Sequence, residues 1–361
     1  MPDNDERSVE IGGIVGKRYK VISKLGEGGM GKVFKVEDVE AKGTFYALKM
    51  EKNNVDWTNV LKLEVQVLSQ LASKSHVAKC IASGKRTTFQ YMVMTLLGES
   101  LESILDKHQF LNVSSQMRVG ICILFGIKQI HDIGYLHRDL KPANVALGHK
   151  GSADERFFLI FDFGLARQYI TDEKKMRRPR AKMSFRGTAR YCSIAMHDNY
   201  EQGRVDDLWA LVYLLADIRA RLPWDKESDV EKIGDIKKTA SDELLFLKSP
   251  LQMLEFVRII RNTHFYDHPD YEKLFKLMED VMKKAEYKWS DPYHWEPEKK
   301  KKKEAKSPGM IEGLITSLKS TKKKSGTALT PKGMSPTGTI EEHSEAPYFT
   351  ADDFKSNPIG F

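Results

Sequence analysis

The feature that most constrains the fold is a change in the spacing of apolar residues near Gly98. Before it, residues 19–52 are dense in Val, Ile, Phe and Tyr and are broken by glycine-containing turns, which predicts three short antiparallel strands. Residues 57–71 carry apolar side chains at helical spacing, and two more strand-like runs follow. Beyond Gly98 the spacing is mainly helical. The sequence therefore predicts an α+β, bilobal protein: a small antiparallel β-sheet lobe with one helix, then a larger, mainly α-helical lobe.

Composition divides the chain into four segments. Residues 1–16 are polar and acidic, which predicts a flexible leader, and residues 17–97 and 98–296 are the two lobes. Residues 297–361 are rich in Lys, Ser, Thr, Gly and Pro with little apolar periodicity, which predicts a basic, disordered tail. From Lys299 to residue 361 there are 12 Lys against seven Asp or Glu, so this part supplies +5 of the formal net charge of +8.

The cysteines and the apolar runs indicate the compartment. Cys80, Cys122 and Cys192 fit neither a disulfide framework nor a zinc site, which favours a reducing compartment. The polar N-terminus does not resemble a signal peptide, and the apolar run at 121–127 is far shorter than the about 20 residues of a membrane-spanning helix. We expect a cytoplasmic protein without membrane insertion. The Lys-rich start of the tail is also typical of a nuclear-import signal, which would add a nuclear location.

A glycine-rich run, LGEGGMGKVF, begins at Leu25. Gly26, Gly28 and Gly31 have the G-x-G-x-x-G spacing, which occurs both in dinucleotide-binding folds and in phosphate-covering flaps. In dinucleotide-binding folds the glycines open a helix, whereas the residues that follow here are typical of a strand. A glycine loop between paired strands predicts a flap whose backbone amides lie over phosphates, with Val33 against the purine.

A lysine stands in the next strand, in the run FYALKM at residues 45–50. A lysine among strand-forming residues usually extends its charged end to solvent. Glu64, however, lies among apolar neighbours on the predicted helix, so it can pair with Lys49 between strand and helix. The pair would direct Lys49 at the α- and β-phosphates of a nucleotide.

Two polar motifs follow, LHRDLKPANVAL at 136–147 and LIFDFGLAR at 159–167. Phosphoryl transfer needs a carboxylate near the attacking hydroxyl, oxygen ligands for Mg²⁺ and positive charge beside the transferred group. Asp139 fits the carboxylate, and Lys141 fits the positive charge. Asn144 and Asp162 fit the metal ligands.

In this order, the glycine loop, the lysine and the two motifs resemble a protein kinase over residues 17–296. The resemblance implies the bilobal kinase fold and the use of ATP and Mg²⁺. The positions that it implies for ATP binding are Leu25, Gly26, Gly28, Gly31, Val33, Ala47, Lys49, Met94 and Leu97. Those that it implies for catalysis are Asp139, Lys141, Asn144, Lys49, Glu64 and Thr188. Lys141 and Thr188 resemble the serine/threonine kinases, and Met94 occupies the family's gatekeeper position.

The activation segment indicates which group of protein kinases the chain resembles. It lacks the Ala-Pro-Glu that closes this segment in most protein kinases. The runs GTARY at 187–191 and GRVDDLW at 203–209 resemble the casein kinase 1 group, in which Asp207 matches an aspartate that braces the catalytic loop. The runs LARQY, RVDDLWALVYLL and YKWSDPYHWE are closest to the tau-tubulin kinase branch, of which a nematode-type member is one form.

Residues 174–191 hold eight Lys or Arg and no carboxylate. Such a run is typical of solvated surface, of a targeting signal or of an anion site. The resemblance to the casein kinase 1 group implies that Arg190, helped by Arg178, Arg186 and Lys232, reads a phosphate or an acid upstream of the target. One alternative is autoinhibitory docking of an anion or of the acidic leader. Another is that Arg190 anchors the activation segment.

Three functions stand as hypotheses. The first is an active, non-specific serine/threonine protein kinase, a monomer that favours acidic or pre-phosphorylated protein substrates and needs no upstream kinase. The second is a weakly active or inactive kinase-fold scaffold. The third is an anionic-surface binder acting through the tail; specific nucleic-acid binding is not expected, because lysine runs without aromatics give non-specific electrostatics. Proline-directed sites in the tail, such as Ser307-Pro308, are candidates for phosphorylation.

Overall fold

The computed structural model describes residues 9–28, 31–53, 60–297 and 348–360. Residues 1–297 and 349–361 belong to one compact unit, which is the unit described below. Within the described ranges, no helix is long and apolar enough to cross a membrane.

The small lobe is a six-stranded antiparallel sheet with the strand order β1-β2-β3-β4-β6-β5. Its strands are β1 (Ile14–Val15), β2 (Tyr19–Gly28), β3 (Gly31–Asp38), β4 (Phe45–Lys52), β5 (Cys80–Lys85) and β6 (Phe89–Thr95). Helix α1 (Val60–Gln70) packs on β5 and β6 and buries Leu61, Val67 and Leu68, as its apolar spacing predicts. The predicted sheet lobe with one helix is confirmed, and β1 is an additional short strand.

The large lobe is built around helix α3 (Val113–Asp132), which is buried on almost every face. The other helices up to residue 297 are α2 (Leu101–His108), α4 (Ile194–His197), α5 (Arg204–Arg219), α6 (Val230–Thr239), α7 (Asp242–Leu245), α8 (Gln252–Arg261) and α9 (Tyr271–Lys284). Strands β7 (Leu97–Ser100), β9 (Val145–Gly148) and β10 (Phe158–Ile160) form one small sheet, and β8 (Tyr135–Leu136) pairs with β11 (Arg167–Gln168). Helix α3 packs on α5, α9 and β10, so the core extends to the strand that precedes Asp162. The predicted helical lobe is confirmed.

The N-terminal segment departs from the prediction of a flexible leader over residues 1–16. Val9 and Val15 are buried in the apolar cluster on one face of the sheet. The backbone N–H of Gly12 donates to the carbonyl of Val21 at 2.8 Å. The leader is therefore packed from Val9 onward, because its apolar residues complete that face of the sheet; residues 1–8 lie outside the described residues.

The C-terminal segment departs from the prediction of a disordered tail over residues 297–361. Helix α10 (Ala351–Lys355) packs on α9, and Phe349 and Phe354 are buried. The composition of the tail as a whole is polar, but two large aromatic side chains bury enough apolar area to hold this short segment in place. The prediction is wrong for these last residues, whereas residues 298–347 lie outside the described residues.

Candidate active site

The glycine-rich run is the hairpin between β2 and β3, in which Gly28 pairs with Gly31. Gly31 has a φ of +141°, and a Cβ there would lie 2.1 Å from the carbonyl oxygen of Met50, so only glycine fits. A Cβ at Gly26 or Gly28 would meet nothing within 4 Å. The space beside both glycines is thus open, so a ligand can approach the backbone of the hairpin closely. Gly29 and Met30 lie outside the described residues.

The residues predicted to surround the purine lie on adjoining strands. Val33 on β3 pairs with Lys49 on β4, and Ala47 on β4 pairs with Met94 on β6. Ala47 and Met94 are buried, whereas Leu25 is exposed at the start of the flap. Leu97 begins β7, directly after the segment that joins the lobes. These residues come from five separate strands, β2, β3, β4, β6 and β7.

Lys49 and Glu64 pair between β4 and α1. Lys49 Nζ lies 2.6 Å from Glu64 Oε2 and 3.6 Å from Asp162 Oδ1. The Glu64 side chain is only 1% exposed. Burial opposes the charge of Lys49, but the carboxylates of Glu64 and Asp162 outweigh burial and raise its pKa to about 12. Lys49 is therefore a fixed cation between the sheet lobe and Asp162.

Asp139 lies in the loop between β8 and a 3-10 turn at Pro142–Asn144. Its Oδ1 accepts a hydrogen bond from Thr188 Oγ1 at 2.8 Å, and its Oδ2 lies 3.0 Å from Lys141 Nζ. Lys141 also donates to Thr188 Oγ1 at 3.1 Å. The carboxylate is thus oriented by a hydroxyl of the activation segment and by a cation, and it remains partly exposed to a substrate.

Asn144 lies directly before β9, and Asp162 lies two residues after the end of β10. The amide nitrogen of Asn144 donates to the backbone oxygen of Asp139 at 2.9 Å, which leaves the amide oxygen as the atom that could bind a cation. Phe161 N donates to Asn144 O at 3.0 Å and so ties the two loops together. Asp162 has a φ of +65° and a partly exposed carboxylate. One amide and one carboxylate oxygen fit Mg²⁺, which takes one or two protein ligands and completes its shell with phosphates and water.

Asp207 on α5 holds the catalytic loop, the segment that contains Asp139, through hydrogen bonds to its backbone. Its carboxylate accepts from the backbone N–H groups of His137 and Arg138, each at 2.8 Å, and lies 2.9 Å from His131 Nε2. Because a carboxylate only accepts, Nε2 of His131 is the donor, and its Nδ1 accepts from the hydroxyl of Tyr271 at 2.6 Å. Burial opposes the charge of Asp207, but these donors lower its pKa. The brace expected from the GRVDDLW run is therefore present.

Arg190 has carboxylate partners within the protein. Its Nη2 lies 2.7 Å from both Asp217 Oδ1 and Asp225 Oδ1. Trp224 Nε1 donates to the backbone carbonyl of Arg190 at 2.9 Å. Burial opposes the charge, yet the carboxylate partners raise the pKa of Arg190. These contacts favour the anchoring alternative, in which Arg190 ties the activation segment to α5, and its reading of a substrate phosphate stays a prediction.

The other basic residues of the segment are arranged differently. Arg178 and Arg186 are exposed, and neither has a hydrogen bond or an ion pair with another described residue. Lys232, at the start of α6, is also exposed. These three side chains are therefore accessible to an anion, and their role in reading one stays a prediction.

A buried acid that sequence reasoning missed lies among the arginines. Glu201 accepts from Arg180 Nε at 2.5 Å and lies 3.4 Å from Arg167 Nε. Burial together with the charges of Arg167 and Arg186 lowers the pKa of Arg138, beside Asp139, to about 10. Glu201 supplies the negative charge at the centre of this cluster, and nothing in the local sequence marks it as different from other surface glutamates.

A groove of about 630 Å³ adjoins Lys141 and Thr188. Four carboxylates line it: Glu102, Asp106, Asp217 and Asp225. Two of these bind Arg190, whereas Glu102 and Asp106 are exposed on α2. Lys141, Arg190 and Arg221 also line this groove, but each pairs with a carboxylate, whereas Arg178 and Arg186 do not line it and have no ion pair with another described residue.

Comparison with known proteins agrees with this geometry. A family model described as "Protein kinase domain" matches residues 19–288. The chain is 64% identical over 366 residues to "Putative serine/threonine-protein kinase K06H7.1" of Caenorhabditis elegans, with all of both chains covered. It is 35% identical to a protein of Dictyostelium discoideum named as a serine/threonine-protein kinase, covering 79% of this chain and 58% of that one. It is 32% identical to a casein kinase I homolog of Kluyveromyces lactis, covering 78% and 54% respectively.

Proposed function

This chain belongs to the protein kinase family and is a serine/threonine protein kinase, and from that premise we propose that it transfers the γ-phosphate of ATP to proteins with an acidic or phosphorylated residue near the target. The observation that carries the chemistry is the convergence of the Lys49–Glu64 pair on Asp162, next to the loop of Asp139. These groups come from β4, α1 and two loops, and each occupies the place that phosphoryl transfer requires.

The transfer step follows from the positions of three groups. Asp139 accepts the proton of the substrate hydroxyl while its other oxygen stays bound to Thr188, which fixes its direction. Lys141, 3.0 Å away, places positive charge where the transferred phosphoryl group gathers negative charge. Lys49 holds the nucleotide phosphates. Mg²⁺, held by Asn144 and Asp162, would neutralise the charge between the phosphates.

The arginine cluster supports activity without an upstream kinase. Many kinases need a phosphorylated activation segment to pair with the arginine that precedes the catalytic aspartate. Here Glu201 already supplies a carboxylate to Arg180 and Arg167, next to Arg138. Protein made in bacteria is therefore expected to be active, and mass spectrometry would verify that Ser184 and Thr188 are unmodified. Activity that appears only after treatment by another kinase would contradict this.

The finer family assignment is also a proposal. The runs GTARY and GRVDDLW and the 32% identity to a casein kinase I homolog support the casein kinase 1 group, and the runs LARQY, RVDDLWALVYLL and YKWSDPYHWE support its tau-tubulin branch. We propose a cytoplasmic monomer, with nuclear import through the Lys-rich tail. That tail lies outside the described residues.

The preference for acidic substrates is assigned to Arg178 and Arg186. Both are exposed and unpaired among the described residues, and Arg186 lies close enough to Arg138 to lower its pKa. Arginine suits this role because its planar fork donates two hydrogen bonds to one phosphate. Arg190 is left out of this assignment, because Asp217 and Asp225 bind it.

The test compares kcat/KM for two peptides that differ only in a phosphate before the target. An Arg178→Ala/Arg186→Ala variant should lose about tenfold toward the phosphorylated peptide, as expected for partly solvated charge-assisted contacts, and little toward the other. Lys150→Ala is the matched control, because Lys150 is an exposed cation in the turn after β9. Equal loss toward both peptides would refute this assignment. Turnover of ATP by wild type but not by Asp139→Asn would separate an active kinase from a scaffold.

A further inference from the structure

The segment of residues 349–359, called the C-terminal strap below, lies in an aromatic groove of the large lobe. Phe354 is 1% exposed and stacks on Phe275 of α9, with ring centroids 4.4 Å apart and an interplanar angle of 11°. Phe349 is 4% exposed, and its ring lies 5.1 Å from that of Trp289. Both strap phenylalanines contact Phe125 of α3, at 5.4 and 5.3 Å. The strap thus fills a groove between α3 and α9 with two aromatic anchors.

A buried charge adds a polar contact to this groove. Lys128 of α3 has a side chain that is only 1% exposed, and its Nζ donates to Asp132 Oδ2 and to Ser356 Oγ, each at 2.6 Å. A buried ammonium needs several acceptors. The strap supplies one of them, so the groove is built to receive this segment in one register.

The strap also contacts His76, which lies between the helix that carries Glu64 and the strand that leads to Asp162. The Phe349 ring lies 4.9 Å from the ring of His76, in the turn between α1 and β5. His76 has a φ of +59°, and its carbonyl accepts from Ile160 N at 3.0 Å. Ile160 ends β10, two residues before Asp162, whereas α1 carries Glu64. His76 therefore joins the helix of Glu64 to the strand that leads to Asp162.

The His76 ring is held by packing alone. Within the described residues neither of its nitrogens has a hydrogen-bond partner, and both are buried. The ring centroids of Phe125 and Phe157 lie 5.4 and 5.5 Å from that of the His76 ring, and the centroid of Phe349 is nearer, at 4.9 Å. Removal of Phe349 would leave a gap beside an unsatisfied, strained residue, which would then have freedom to move.

We propose that the C-terminal strap is an intrachain docking motif whose binding holds the turn at His76 and thereby positions Glu64 and Asp162 for phosphoryl transfer. The partner of the aromatic groove is thus the chain's own segment, with two phenylalanines five residues apart and a serine that reaches Lys128. This inference rests on the proposed kinase activity, because it makes that activity depend on a docked C-terminus. Release of the strap lowers turnover while the catalytic domain stays folded.

The first experiment uses the full chain with Phe349→Ala/Phe354→Ala. We expect kcat to fall about tenfold while the KM for peptide stays within twofold, because a small shift of positioned groups affects the transition state rather than peptide binding. A synthetic peptide of residues 346–361, added in trans, should restore kcat, whereas the same peptide with both phenylalanines replaced by alanine should not. Lys355→Ala is the matched control, because Lys355 is exposed, and its ion pairs with Asp352 of α10 and Glu272 of α9 contribute little. Unchanged kcat in the double variant, or no rescue by the peptide, would overturn the proposal.

Hydrogen exchange distinguishes a strap that positions the active-site residues from one that only covers the groove between α3 and α9. Exchange should rise at residues 74–80 and 158–163 as well as on α9, but not on α5, and the wild-type peptide should reverse it. A rise confined to α3 and α9 would refute the coupling to His76. Should the double variant fail to fold, Ser356→Ala removes only the Lys128 contact; kcat should then fall about twofold, and no change would count against the proposal. A wild-type chain without kinase activity would overturn the proposed function, while exchange at 74–80 would still test docking.

Discussion

Substitution of Asp207 by Asn tests how the large lobe positions the catalytic loop. The carboxylate is 3% exposed and accepts three hydrogen bonds, two of them from the backbone of His137 and Arg138, the residues directly before Asp139. Asn has the same shape but only one acceptor oxygen. Its amide nitrogen must therefore face at least one of the buried donors, which leaves that N–H unpaired.

The magnitude follows from the number and type of these bonds. A hydrogen bond to a charged group contributes about 1.5–3 kcal/mol, and an unpaired buried donor costs about 1–3 kcal/mol. One contact is lost in Asp207→Asn, and the remaining ones become neutral, so the free energy of unfolding should fall by about 3 kcal/mol. For a domain of this size the melting temperature should fall by about 5 °C. Since a displacement of about 1 Å in a reacting group can cost about 100-fold, kcat should fall by about 10- to 100-fold.

The assay combines thermal unfolding with steady-state kinetics. Asp206→Asn is the matched control: Asp206 is also buried on α5, and its Oδ2 accepts from Gly203 N at 2.6 Å rather than from the backbone of the catalytic loop. That variant can keep its contact with Gly203 N, so its kcat should stay within about twofold of wild type. A large fall in melting temperature for Asp207→Asn with unchanged kcat would refute the view that this brace positions Asp139.

Three further predictions concern single residues. Asp139→Asn should abolish nearly all phosphoryl transfer while ATP still binds, whereas Asp162→Asn should lose Mg²⁺-dependent ATP binding; equal ATP affinities by calorimetry would contradict this division. Arg190→Ala should lower the free energy of unfolding by about 2 kcal/mol and reduce kcat/KM equally for phosphorylated and unphosphorylated peptides, because Asp217 and Asp225 lose the cation that they share and keep only Tyr191 and Arg221 as partners; a loss confined to the phosphorylated peptide would indicate a reading role. Burial, with a smaller effect of Lys79, lowers the pKa of His76 from 6.5 to about 4. Between these two pH values the imidazole therefore binds a proton in the unfolded chain but not in the folded chain. Stability should therefore fall as pH falls from about 6.5 toward 4, by about 2 kcal/mol at pH 5, and a His76→Asn variant should lack this part of the pH dependence in denaturant titrations.

Local chemistry made much of the site predictable from the sequence. The glycines of the flap, the lysine in β4 and the run HRDLKPAN are contiguous patterns whose backbone and side-chain requirements are met within a few residues. Gly31 illustrates this, because a side chain there would clash with the adjacent strand. The change of apolar spacing near Gly98 likewise predicted two lobes, since strand and helix periods are properties of short segments.

The tertiary structure decided which charged and aromatic side chains find partners. Arg190 matches a phosphate-reading position by sequence, yet Asp217 and Asp225, 27 and 35 residues away, bind it and make it an anchor. Phe349 and Phe354 stand in a polar tail whose composition predicts disorder, yet they are buried because α3 and α9 leave an aromatic groove at that place. The sequence by itself determined the fold class and the groups for phosphoryl transfer, because these depend on local period and motif. Pairing and burial depend on distances between residues far apart in the chain, and only the folded structure sets those distances.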